Sequence, residues 1–248
     1  MSDNQTFVSH LIELRSRLIK AVVFVMVIVI VQLPFAGKIY TLMAKPVMAY
    51  LPEGSSMIAT GVLSPFLTPF KMVFILGIII SMPFILYQIW AFVSPGLYKK
   101  EKRIARPLLF SSIFLFYLGC MFAYFVIFPI LFQFIPAISP VGVNYMPDIN
   151  SYLDIVVRLF FAFGLAFEMP IAVILMILMG VTTPEKLANS RPYVIVGVFV
   201  VGMILTPPDM ISQTLMAIPM WLLFEVGIIM GRILKKRKTD ENTKNSTD

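Results

Sequence analysis

The sequence predicts an all-α protein that crosses a membrane several times. Three observations predict it. Of the 248 residues, 59% are hydrophobic and 13% are charged, about half the charged share of ordinary soluble domains. The mean hydropathy is +0.90, and a soluble chain of this length could not bury so much apolar surface. The apolar residues gather in six blocks, about 18–36, 68–93, 107–130, 152–179, 193–206 and 212–231. The basic residues fall mainly between alternate blocks, as in a polytopic chain.

The elements follow in order. Residues 7–20 place Phe7, Leu11, Leu14 and Leu18 on one face at three-four spacing, with His10, Glu13, Arg17 and Lys20 on another. This predicts an amphipathic helix lying on a membrane surface and leading into the first span. The segment before that span carries Asp3, Glu13, Arg15 and Arg17, and no small-residue cleavage site follows the apolar run. The run therefore reads as a retained span and not as a cleaved signal. The first four blocks meet the roughly 20 residues that a crossing needs. The fifth is short, bounded by Arg191-Pro192 and Thr206-Pro207-Pro208-Asp209. It forms either a re-entrant hairpin with the sixth or, as the flanking Arg191 and Arg232–Lys238 favour, one of two short true spans in a thinned bilayer.

The distribution of lysine and arginine sets the orientation. Lys38, Lys45 and Lys71 lie on one side and Arg158 lies within the fourth span. All other basic residues lie on the opposite side, in the N-terminal segment, the 94–106 and 180–192 connections and the tail. Both termini are predicted to be cytoplasmic. The outer connections, 37–67 and 131–151, are long for a compact bundle and are predicted to form a structured cap. Residues 1–235 read as one membrane domain, and 236–248 as a disordered polar tail. Pro83, Pro129, Pro170 and Pro219 fall within spans, where each removes a backbone hydrogen bond and bends its helix, which favours a concave bundle.

Composition excludes several functions. The net charge of +7 comes from short inter-span segments and the tail and is no nucleic-acid footprint. A single cysteine, Cys120, and a single histidine, His10, rule out an internal disulfide, a cysteine-rich or multi-histidine metal site and bis-histidine haem ligation. No phosphate-binding GxxxxGK[ST] loop or zinc-protease HExxH is present. No nucleophile–base pair lies at membrane depth, so no catalytic residues are assigned and no cofactor is expected.

The polar residues inside apolar blocks are the candidates. Glu168 lies well within the fourth span, where an ionisable group is costly and marks a functional contact by default. Asp154 and Arg158, four apart with the acid first, suit a helical ion pair. Glu101 is the lone acid in Lys99-Lys100-Glu101-Lys102-Arg103. With Glu13 on the same predicted side, it could clamp guanidinium groups, whose planar forks favour carboxylates. Asp209 could cap the sixth helix. Thr206 and Gln213 could bond another helix within the membrane. Glu225, near the inner end of the sixth span, reads as structural.

Several ordered motifs resemble one family. They are His10-Leu11-Ile12-Glu13-Leu14-Arg15-Ser16-Arg17-Leu18, Tyr87 to Tyr98 (YQIWAFVSPGLY) with Glu101 soon after, Phe163-Gly164-Leu165-Ala166-Phe167-Glu168-Met169-Pro170, Arg191-Pro192-Tyr193 and Thr206-Pro207-Pro208-Asp209. Over about residues 7–232 the chain is similar to the bacterial TatC family, the multi-span subunit of the twin-arginine protein translocase. The resemblance implies a six-helix, glove-shaped bundle in the bacterial inner membrane. It implies a receptor for signal peptides bearing two adjacent arginines. Such a receptor assembles as an oligomeric complex with single-span TatA- and TatB-type partners and exports folded proteins on the proton-motive force. By motif, Glu13, Glu101, Leu14, Arg15 and Phe92 would form the signal-recognition patch. Glu168, Met203, Thr206 and Gln213 would meet partner helices, and Pro46, Tyr124 and Asp209 would belong to the outer cap and its neighbours. Arg158 and Gly61 depart from the family pattern. An ion- or proton-coupled small-molecule transporter, with Glu168 as a proton site, is the alternative; no inverted repeat supports it.

Overall fold

The computed structural model describes residues 2–48, 56–93, 102–137, 146–205 and 210–244, and nearly all of these are helical. Helix α1 (Ser2–Gln32) joins the amphipathic segment to the first apolar run without a break. A short 3-10 turn, Leu33–Phe35, links it to α2 (Ala36–Met48). The connection expected at 37–67 therefore begins as ordered helix. Helix α3 covers Ser64–Val93. Helix α4 (Lys102–Phe122) runs through a π turn at Ala123–Ile127 into α5 (Phe128–Ala137). The π turn stands just before Pro129, which has no N–H to give and whose ring would press on the carbonyl of Phe125; wider bonding relieves both problems.

The span expected at 152–179 is two helices, α6 (Ile149–Ala166) and α7 (Met169–Leu178). Pro170 causes the break, because its ring cannot pack against the carbonyl of Ala166 in a regular helix. The chain crosses the gap with tight bonds, Glu168 N to Leu165 O at 3.0 Å and Ala172 N to Glu168 O at 2.9 Å. Helices α8 (Pro184–Asn189), α9 (Arg191–Leu205) and α10 (Met210–Lys244) complete the chain. Helix α10 continues into the segment from 236 that composition marks as a polar tail; its Lys, Arg and Glu residues are good helix formers.

Among the described residues, five stretches are long and apolar enough to cross a bilayer: Leu11–Lys45, Ser64–Val93, Ala105–Phe134, Ile149–Leu178 and Gln213–Lys235. The fifth apolar block yields the shorter helix α9, whose 15 residues rise about 22 Å against a hydrocarbon core of about 30 Å.

Contacts divide the chain into two compact units. The first comprises Met1–Pro95 and Phe128–Val157. Here Val25, Val29, Ala36 and Val73 form a core against which Ile39, Ile78 and Ile85 pack. Phe24 of α1 stacks on Phe84 of α3 at 4.4 Å between centroids. Asp148 caps α6: its carboxylate accepts from Thr60 N and Oγ1, both at 2.9 Å, from Asn150 N at 3.0 Å and from Ser151 N at 3.2 Å. The Thr60 backbone bond is the largest of the influences that hold its pKa down to about 2. Asn150 donates to Ser64 Oγ and accepts from Thr68 Oγ1. The stretch leading into α3 is thereby fastened to the start of α6.

The second unit comprises Gly96–Ile127 and Arg158–Asp248. Val173 of α7 meets Phe224 and Ile228 of α10, with Ile177, Leu187 and Val194 around them. Arg191 forks onto Glu225, Nε to Oε1 at 2.5 Å and Nη2 to Oε2 at 2.7 Å. That two-pronged pair ties the start of α9 to α10 and gives Glu225 the structural part expected of it. The expected Asp154–Arg158 ion pair is a correction: no such pair occurs among the described residues. Both side chains are exposed, and four-residue spacing alone does not offset the entropy of ordering two flexible side chains.

Candidate functional site

The residues of the proposed recognition patch that are described lie where α1 meets α3. Arg17 Nε and Nη2 donate to Glu13 Oε1 at 2.9 and 2.5 Å. Arg17 Nη1 makes a longer contact of 3.4 Å with Gln88 Oε1 on α3. The two charged side chains are only partly covered, 25% exposed for Arg17 and 35% for Glu13, whereas Gln88 is buried. Leu14 and Arg15 are exposed beside them.

The helix pair sets the level of Phe92. Going down α1 from Val29 to Phe24 to Arg17, the facing residues on α3 are Gly77, Phe84 and Gln88. The helices are therefore antiparallel. One more turn toward the start of α1 reaches Glu13, and one more turn along α3 reaches Phe92, whose side chain is half-buried. A carboxylate and an aromatic ring thus share one level of the pair. Among the described residues, Glu13 Oε2 takes no hydrogen bond. Such a site offers a charged acceptor beside apolar surface, which suits a guanidinium followed by an apolar stretch. Glu101, its intended companion, lies outside the described residues.

The second polar position is Glu168. Its backbone occupies the break between α6 and α7 with φ −78° and ψ −13°, and its side chain caps neither helix. Ser112 of α4 donates to Glu168 Oε2. Oε1 is buried and has no hydrogen-bond partner among the described residues. An unmet buried acceptor costs about 1–3 kcal/mol, so the carboxyl is half-satisfied by its own chain. Two glycines bring α4 close enough for Ser112 to reach it. A Cβ on Gly119 would strike the backbone carbonyl of Phe163, its carbon 2.9 Å away, and one on Gly164 would come within 2.6 Å of the Phe116 ring. Small residues at membrane helix contacts allow this kind of approach. Phe122 fills the same junction, 5.4 Å from the Phe163 ring and 5.6 Å from that of Phe167.

The remaining candidates are dispersed. Gln213 of α10 donates to the Phe199 carbonyl of α9 at 2.7 Å, so its amide bonds a neighbouring helix of this same chain. Met203 is 52% exposed on α9. Tyr124 stands half-buried in the π turn. Pro46 belongs to α2, but its side chain lies outside the described residues, as do Thr206 and Asp209 altogether.

Sequence reasoning missed Gln88 and Ser112 as parts of these sites. Each is distant along the chain from the residue it touches, and nothing local points to them. It also treated Arg17 only as part of a polar face. The four-residue step from Glu13 to Arg17, acid first, was the available signal.

The chain is similar to known proteins over nearly its whole length. A family model described as "Sec-independent protein translocase protein (TatC)" matches residues 9–219. A protein of Azotobacter chroococcum mcd 1 with that same name is 56% identical over 93% of this chain and 91% of its own length. The protein so named from Escherichia coli (strain K12) is 53% identical over 94% of this chain and 90% of its own. A solved structure described as "Crystal Structure of Twin Arginine Translocase Receptor- TatC" superposes with a TM-score of 0.80 at 39% identity, covering 90% of this chain and 98% of that one.

Proposed function

The chain belongs to the TatC family, and from that premise we propose that it is the signal-peptide receptor and core scaffold of a twin-arginine protein translocase in a bacterial inner membrane. Both termini face the cytoplasm in this reading and six helices cross the bilayer. The observation that carries it is the Glu13 carboxylate, partly exposed at the level of Phe92 with one oxygen unbonded among the described residues. Glu13 and Glu101 each receive one of the two arginines of a signal peptide, and Leu14, Arg15 and Phe92 complete the patch. The surrounding basic residues repel generic cationic peptides, so only a well-aligned pair gains net attraction. A partly exposed ion pair contributes about 1 kcal/mol at most, and the apolar stretch of the signal supplies much of the remaining affinity.

Glu168, whose Oε1 has no partner among the described residues, receives a polar group from a single-span partner of the TatA or TatB type. Met203, Thr206 and Gln213 form a further contact for such helices, and Pro46, Tyr124 and Asp209 support the outer side. The work is recognition and assembly, with the proton-motive force driving export of folded cargo. The transporter alternative has no comparable support once the chain is placed in this family.

The test is export of a folded reporter carrying a twin-arginine signal, in a strain whose only receptor is this chain, expressed with single-span partners of the same source. The expected result is reporter outside the cytoplasm, and its retention when both signal arginines are changed to lysine. Retention of the unaltered reporter, with the chain present in the membrane, contradicts the proposal.

A further inference from the structure

We propose that Arg17 is a specificity-determining residue of the recognition patch: it occupies Glu13 in the empty receptor and yields it to a signal arginine, shifting toward Gln88. The inference rests on the receptor reading above and deepens it.

Three observations carry it. Arg17 reaches Glu13 Oε1 through two of its nitrogens, at 2.9 and 2.5 Å, so the carboxylate of the resting site already holds a guanidinium. The same guanidinium touches Gln88 Oε1 at 3.4 Å through its third nitrogen. Gln88 is 8% exposed, so water is a poor substitute partner for its amide oxygen, and that oxygen remains available as a neutral acceptor when Arg17 moves. Arg17 itself is 25% exposed, so it can swing without unpacking a core.

The consequence is a threshold. Oε2 is unbonded among the described residues and admits a first contact, but a cation that grips both carboxylate oxygens must displace the forked contact of Arg17 on Oε1. A second guanidinium restores the fork that it displaces. A lysine ammonium is a point charge without a fixed fork, and exchanges a two-nitrogen contact for a weaker one. Competition from Arg17 therefore widens the gap between arginine and lysine beyond what an open carboxylate provides. This is selection by making the wrong ligand unfavourable. Gln88 lowers the barrier for the right ligand by accepting the displaced group. A helix-surface pair four residues apart adds little to stability, so variants at position 17 are expected to fold.

The test uses the purified full-length chain and two fluorescent signal peptides that differ only in an arginine or a lysine pair. The wild type is expected to prefer the arginine peptide. In Arg17→Gln the lysine peptide is expected to bind about fivefold tighter than to the wild type, and the preference ratio to fall accordingly. Arg17→Lys, which keeps the charge but loses the fork, is expected to give an intermediate ratio. In Gln88→Leu the arginine peptide is expected to bind about two- to threefold more weakly, because displaced Arg17 loses an acceptor. An unchanged ratio in Arg17→Gln, or loss of both peptides in equal measure, overturns the role of Arg17 while a wild-type preference leaves the receptor reading standing. Undiminished arginine-peptide binding by Gln88→Leu overturns the shift to Gln88. A wild type that does not distinguish the peptides overturns the receptor reading and this inference with it.

Discussion

Reversing both recognition charges, Glu13→Lys with Glu101→Lys, is expected to abolish capture of a twin-arginine signal peptide. Each replacement removes an attraction of about 1 kcal/mol and adds a repulsion of similar size. Two sites together then weaken binding by about a hundredfold or more. The cytoplasmic side proposed for this patch is already basic, with Lys99, Lys100, Lys102 and Arg103 flanking Glu101, so the double variant leaves no acid within that run. The readout is the affinity of a fluorescent signal peptide for the purified protein, with thermal unfolding as the control for folding. Glu13 is partly exposed on α1, and its change to lysine buries no new charge, so unfolding is expected to shift little. Affinity within about threefold of the wild type would remove these acids from the recognition account.

Replacing Gly119 with leucine is expected to produce the largest loss of stability. The Cβ alone meets the Phe163 carbonyl group, which is backbone and cannot rotate away. Overfilling a packed junction typically costs about 1–3 kcal/mol, and a clash with main chain places this variant at or above the upper end. Helix α4 must move off α6, which carries Ser112 away from Glu168. Two measurements follow. The apparent Tm in detergent falls by several degrees, and a cysteine pair at positions 112 and 168 that crosslinks in the parent no longer does so. An unchanged Tm with intact crosslinking would contradict the close approach of α4 to α6 at Gly119. Ser112→Ala removes only the hydroxyl and is expected to leave α4 packed, which separates the hydrogen bond from the close approach.

Much of the fold was legible because the bilayer imposes one simple rule. A span must be apolar for about 20 residues, and the blocks at 68–93 and 107–130 satisfy that rule without help from tertiary contacts. The fifth block was also correctly short, since Arg191-Pro192 and Pro207-Pro208 bound it in sequence. Helix geometry inside spans was less legible. The period of hydrophobicity continues across Glu168, so 152–179 reads as one helix, although Pro170 already carried the reason for the break. Asp148 was overlooked in a connection, yet an aspartate immediately before an apolar helical run is a capping signal. The place of Glu168 inside an apolar stretch was readable from composition, but its bond to Ser112 was not, because 56 residues separate them. The same holds for Arg17 and Gln88, 71 apart. Long-range polar pairs leave no local periodicity to read. The Asp154–Arg158 expectation failed for the opposite reason: correct local spacing does not form a pair on an exposed surface that offers nothing to hold it.

The central claim is that the Glu13 end of the α1–α3 pair receives the arginines of a signal peptide. Site-specific photocrosslinking tests it most directly, with the probe placed beside the arginine pair of a signal bound to the assembled translocase. The account predicts adducts on α1 around Glu13 and on α3 around Phe92, and their loss when the arginines are lysines. Adducts confined to other helices, with equal yield from both peptides, would contradict it.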